Sequence, residues 1–280
     1  MDARFHPAQA VLANGDLKGL ATLLARDPEL ATARSQCSHP TILQCLVLTI
    51  PPVDSLESLI DLLAEHAAEL TDPLTAAAGV DNIRAITRLL DRGANIEGDG
   101  VWSPLEEALY WGNEDSVSLL LKRGARVRNL RTAAALGNLE KMRRCFDDTG
   151  GLATAAGEVA WPFGTPIPDS IRKDPQQILA NALVYAAAWN QSEAVERLLN
   201  RGAQINLIPA GFDFAGTPLH YAALRGHRGM VNHLLQQGAR ADIRDTKVDK
   251  LPEDWAAHVG HGDLAAHLRQ VRHQNLGPQS

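Results

Sequence analysis

Residues 216–245 read GTPLHYAALRGHRGMVNHLLQQGARADIRD, and this stretch decides the fold. Thr217 is a good helix N-cap, and Pro218 stands at the first helical position, where its missing N–H costs nothing. Leu219, Ala222 and Ala223 then place small apolar groups on one helical face at a spacing of three to four. Gly226 can stop that short helix in a left-handed conformation. Met230, Val231, Leu234 and Leu235 stripe a second helix, which Gly238 ends. Two helices this short cannot bury their faces alone, so neighbours must stack on them.

The same punctuation recurs along the chain. Leu-Leu followed by Gly-Ala appears at Leu89-Leu90/Gly93-Ala94, Leu120-Leu121/Gly124-Ala125, Leu198-Leu199/Gly202-Ala203 and Leu234-Leu235/Gly238-Ala239. Such self-similarity marks a solenoid. The 216–245 stretch resembles the ankyrin repeat over its whole length, from Thr217-Pro218-Leu219-His220 to Gly238-Ala239. The resemblance implies an all-α ankyrin-repeat solenoid of about seven to eight helix-turn-helix units with a long insert in the middle. Residues 1–148 read as about five repeats, the first capping, and 178–273 as about three, the last capping. Residues 274–280 read as a tail. The second unit carries a lengthened inter-helix loop at Ile50-Pro51-Pro52-Val53.

Residues 149–177 break the pattern. They are rich in Gly and Pro and carry Trp161-Pro162-Phe163. Flexible linkers usually lack large apolar groups, so the aromatic pair predicts an ordered insert. A smaller irregularity, Ile208–Phe214, should lengthen the turn that projects before Gly216.

Composition narrows the function classes. The net charge of −6 argues against generic nucleic-acid or acidic-membrane binding. No apolar run approaches the ~20 residues of a membrane span. The N-terminal MDARFHPAQAVLANGDL has no basic start followed by an apolar run, so no signal peptide is expected. Cys37, Cys45 and Cys145 form no CxxC pair and fit a reducing, cytoplasmic compartment. No metal site and no cofactor motif is expected: His258 and His261 have metal-pair spacing but no convincing third ligand, and phosphate-loop, GxGxxG and GxSxG patterns are missing.

Aligning the units on one another defines two rows of first-helix positions, four residues apart and so on one helical face. The first row includes Glu107, Tyr185, Tyr221 and Trp255; the second includes Trp111, Leu136, Trp189, Arg225 and Val259. The ankyrin resemblance implies that both rows project towards a concave side. Aromatics and Arg are enriched at binding hot spots. Trp111, Tyr185, Trp189, Tyr221, Arg225 and Trp255 are therefore the expected binding residues, together with Glu107 on the same row, and with Trp161 and Phe163 of the insert folding back to wall the patch. The bland alternative is that these large side chains only pack on adjacent repeats. Glu107 is the one candidate for proton transfer; it could equally pair with Arg131 or Arg225, or stay solvated. The leading expectation is a binding or scaffold protein for a protein or peptide partner. The alternative is a small-molecule pocket, or a non-standard enzyme, closed by the insert.

Overall fold

The structure is a computed structural model that describes residues 5–35, 41–49, 53–66, 68–98, 100, 102–161 and 166–276, with side chains to 274. Ile50-Pro51-Pro52, Pro162-Phe163, Cys37 and the end of the expected tail, 277–280, lie outside the described residues. The chain divides into two compact units, Met1–Arg126 and Val127–Ser280, and the 149–177 insert lies inside the second.

The first unit holds four helical pairs: α1 (His6–Ala13) with α2 (Leu17–Arg26), α3 (Ile42–Val47) with α4 (Leu56–Glu65), α5 (Thr71–Gly79) with α6 (Ile83–Asp91), and α7 (Pro104–Trp111) with α8 (Glu114–Lys122). The second holds α9 (Leu130–Ala135) with α10 (Leu139–Arg144), the single-turn α11 (Asp169–Arg172), α12 (Pro175–Ala188) with α13 (Ser192–Asn200), α14 (Pro218–Leu224) with α15 (Arg228–Gln236), and α16 (Pro252–His258) with α17 (Gly262–Leu276). The last helix thus runs past His273. Among the described residues no strand forms beyond one isolated bridge, Phe146 to Leu152.

Local chemistry explains where the first helices of the pairs start. The residue three positions after the cap supplies an acceptor that returns to the cap N–H. Glu106 does this for Ser103 (Oε2, 2.9 Å), Gln44 for Thr41 (Oε1, 3.1 Å), and His220 for Thr217 (Nδ1, 3.1 Å). Glu, Gln and His interchange here because each can present an acceptor, which is what a capping box requires. Within a pair, the chain reverses through a left-handed residue, glycine at Gly226 but Asp81 and Asn190 elsewhere, both at φ 56°.

Each unit has its own core. Leu20, Leu24, Leu43, Leu46, Leu59, Leu63 and Ile86 are fully buried in the first. Leu183, Leu198, Leu219, Leu234 and Leu268 are fully buried in the second. Three successive pairs are tied to the pair before them by a polar side chain at the start of the second helix. Asn82 Nδ2 donates to the Val47 carbonyl, Asn113 Nδ2 to Ala78 (both 2.8 Å), and His227 Nε2 to Ala188 (3.0 Å). On the second helices of the first unit, Arg84 pairs with Glu57, Arg88 with Asp61 and Arg123 with Asp91. These pairs are partly exposed and worth about 0–1 kcal/mol each, so they specify register more than they add stability.

Candidate functional site

In the first unit, α7 places Glu107 only 5% exposed. Its two carboxylate oxygens each accept an indole hydrogen bond, Oε2 from Trp102 Nε1 (2.6 Å) and Oε1 from Trp111 Nε1 (2.8 Å). Burial raises the Glu107 pKa, and the two indole donors oppose that rise. Tyr110 stands edge-on to both indoles, at 6.3 Å from Trp102 and 5.1 Å from Trp111. Trp111 itself is 49% exposed. The carboxyl therefore acts as a fastener that holds an exposed indole in one orientation.

In the second unit, Tyr185, Tyr221 and Trp255 are buried rather than open on a face. They form a continuous run of rings with two phenylalanines of the irregular 208–214 turn. Phe212 lies between Tyr185 (5.4 Å) and Tyr221 (5.0 Å). Trp255 follows at 5.3 Å from Tyr221, and Phe214 at 6.3 Å from Trp255. The Tyr221 hydroxyl donates to the Phe214 carbonyl at 2.6 Å. Phe212 and Phe214 lie outside both repeat rows, so the alignment of the units does not single them out. The signal was an aromatic pair in an irregular segment, the same criterion that singled out Trp161 and Phe163.

The insert is folded onto this turn. Arg131 Nη1 donates to the Glu158 carbonyl (2.6 Å), Arg172 pairs with the Glu158 carboxylate (2.7 Å), and Val159 N–H bonds Arg172 O (2.9 Å). Val159 and Ala160 are buried, and Trp161 is half-buried. The turn in its place is held by Asn181 Nδ2 to Ala210 O (3.0 Å) and by Ala210 N–H to Gln177 Oε1 (2.9 Å). Gly211 (φ 90°) is where the two irregular segments meet: an added Cβ would stand 2.9 Å from Val159 Cγ1 and 3.0 Å from both Ala160 O and Asn181 Nδ2. Gly211→Val should therefore destabilise the second unit by about 2–4 kcal/mol, combining left-handed strain with overpacking. Limited trypsin digestion should show faster cleavage at Arg172 and Lys173.

The next projecting turn is organised by Asp245, which is buried. Its Oδ1 accepts the Lys247 and Val248 N–H groups (2.9 and 2.7 Å), and its Oδ2 accepts Lys250 N–H and Trp255 Nε1 (3.0 and 2.9 Å). Burial would raise its pKa, but these donors outweigh it and the net shift is downward. His220 is fully buried, and that burial pushes its pKa down to about 4. With Nδ1 accepting from Thr217, the proton sits on Nε2 and is donated to Lys250 O (3.2 Å). This histidine joins two successive turns.

The second row lies at the inter-helix turns. Trp189 and Arg225 are half-buried and Val259 is exposed. These turns stack in order within the second unit. Gln191 lies against Gly137, His227 bonds Ala188 O, and the His261 ring lies over Gly226.

Other chemistry is sparse. Among the described residues no group of three His, Cys, Asp or Glu could hold a metal ion, His258 and His261 included. Burial pushes the Cys145 thiol up to about 11, and its Sγ donates to the Lys141 and Ala155 carbonyls. That is an inert thiol. No described helix is long and apolar enough to cross a membrane.

With stacked helical pairs, capping boxes and projecting turns in view, comparison with known proteins is direct. The family model described as "Ankyrin repeats (3 copies)" matches residues 171–246. Human cyclin-dependent kinase inhibitor 2A is 32% identical over 141 residues, covering 50% of this chain and 74% of that protein. The ankyrin repeat domain-containing protein SAT10 of Stachybotrys chartarum is 27% identical over 217 residues, 71% of this chain but 10% of that protein. Rat oxysterol-binding protein-related protein 1 is 29% identical over 187 residues, 60% of this chain and 18% of that protein. The chain belongs to the ankyrin-repeat family, and its fold is all-α, of the repeat-solenoid class. Ankyrin repeats generally mediate protein–protein interaction.

Proposed function

We propose that the chain is a binding protein for a protein or peptide partner, each unit by itself presenting second-row anchors: Trp111 in the first, and Trp189 with Arg225 in the second. The observation that carries this reading is Trp111, a large indole 49% exposed yet fixed by a hydrogen bond to a buried carboxylate. Ordering an aromatic anchor before the partner arrives lowers the entropy lost on binding. Tyr185, Tyr221 and Trp255 enter this reading as the buried support beneath the face, and the 149–177 insert as the brace of the 208–214 turn. The cytoplasm is the compartment that fits.

The double variant Trp111→Ala/Trp189→Ala tests it. Wild type should retain a specific protein from a matched lysate that the variant loses at least tenfold, while helical content changes little and the variant stays folded under the assay conditions despite losing the Trp111–Glu107 hydrogen bond. Equal retention by both proteins would remove these residues from the interface.

A further inference from the structure

Resting on that reading and deepening it, the surroundings of Trp111 in the first unit point to the chemistry of the partner. Four carboxylates are buried among the described residues, and three of them are met in ordinary ways. Glu253 lies between Arg269 (3.3 Å) and Arg272 (3.0 Å). Asp245 accepts three backbone N–H groups besides the Trp255 indole. Glu106 closes the capping box of its own helix. Glu107 differs. Its partners are two neutral indole N–H groups, and no cation or backbone N–H of the described residues reaches its carboxylate. From the neighbouring pair it is faced by Gly79 of α5, where an added Cβ would stand 2.8 Å from Oε1. Buried carboxylates are as a rule paired, because an ionised one without a counter-charge is costly.

The same spot opens to solvent through an aromatic side chain. Trp111 is 49% exposed and is bound to the carboxylate by its N–H, so a group that rests on this indole rests beside Glu107. Half-buried Tyr110 stands edge-on to it. The turn that follows adds charge of the same sign. Glu114 and Asp115 are exposed at the start of α8, and neither forms an ion pair among the described residues. An indole face attracts cations, and a carboxylate beside it adds to the attraction.

We infer that this spot takes a cationic side chain from a basic segment of the partner protein, an arginine laid on the Trp111 indole with its charge beside Glu107, Glu114 and Asp115. Arginine fits better than lysine, because a guanidinium stacks on aromatic faces and is more weakly hydrated than an ammonium. The counter-charge that Glu107 lacks in the free chain arrives with the partner.

Selection of a phage-displayed library of random peptides against the whole chain tests this. The expected enrichment is for peptides of net positive charge with at least one arginine. A labelled enriched peptide should bind at least about tenfold more weakly to Trp111→Ala and weaken with added salt. It should lose a similar factor when its arginine is replaced by citrulline, which keeps the shape and removes the charge. Glu107→Gln should weaken the arginine peptide far more than its citrulline form, a difference that loosening of Trp111 alone would not produce. Glu114→Gln/Asp115→Asn leaves Glu107 and both indoles in place and should still cost severalfold. Enriched peptides that are neutral or acidic, or citrulline forms that bind as well as the arginine ones, would overturn the cationic assignment, and loss of such peptides on Trp111→Ala would leave the binding reading standing. Peptides indifferent to Trp111→Ala, or no enrichment at all, would overturn the inference, and that indifference would count against the Trp111 anchor itself.

Discussion

Asp245→Ala should lower the unfolding free energy of the second unit by about 3–5 kcal/mol, because it strips four hydrogen-bond donors of one buried acceptor. The Lys247, Val248 and Lys250 N–H groups would need new partners, and the Trp255 indole would lose its anchor. Urea unfolding followed by far-UV circular dichroism measures the loss. Trp255 is part of the ring run, so the damage should spread along Tyr221 and Phe212 instead of ending at the turn. The pH dependence has a definite sign. The folded pKa of Asp245 lies below its ordinary value, so its contribution is fully present above about pH 4 and is lost as pH falls through the folded value. Asp245→Asn should flatten that acid limb of the stability profile. An unchanged midpoint for Asp245→Ala would show that the 245–250 turn does not hold Trp255 in place.

Glu107→Ala should cost the first unit about 2–4 kcal/mol, since it leaves the buried Trp102 N–H unmet and frees Trp111. Its pH behaviour is opposite to that of Asp245. Burial holds the Glu107 proton more tightly in the folded protein than in the unfolded chain. Stability should therefore decline as pH rises from about 4.3 through the folded pKa. Glu107→Gln removes this decline, but its NH2 takes the place of one acceptor oxygen, so one of the two indole N–H groups then faces a donor. The exposed Trp111 should be the one released, which a red shift in its fluorescence would report. On the binding reading, Glu107→Gln should weaken partner affinity more than it weakens the fold. The reverse result, intact affinity and a large loss of stability, would make the carboxyl purely structural.

Much of this architecture was legible because ankyrin-type pairs announce themselves locally. Thr217-Pro218 starts a helix, Gly226 reverses it and Gly238 closes the next, and each of these acts through its own backbone conformation. The second-row positions were legible for the same reason, since they sit at the turn that the left-handed residue fixes. Burial of the first row was not. Tyr221 and Trp255 lie one turn nearer the helix start, and side chains on a helix lean towards its N-terminus. There they meet the projecting turns at 208–214 and 245–250, whose length in sequence says nothing about which way Phe212 or Asp245 points. The docking of Val159 and Ala160 on Gly211 was illegible for a related reason: it joins two irregular segments about fifty residues apart, neither of which has a period to read. Glu107 shows the same limit from another side. Its spacing from Trp111 on α7 was visible, but the second indole, Trp102, precedes the helix.

The central claim is that a partner protein contacts the second-row face, and site-specific photocrosslinking in cells tests it most directly. A photoreactive phenylalanine in place of Trp189 should yield a discrete adduct with one partner. The same group in place of Arg197, exposed on α13, should yield none. Adducts from Arg197 as strong as those from Trp189, or none from Trp189 in cells where the chain is abundant and folded, would contradict the account.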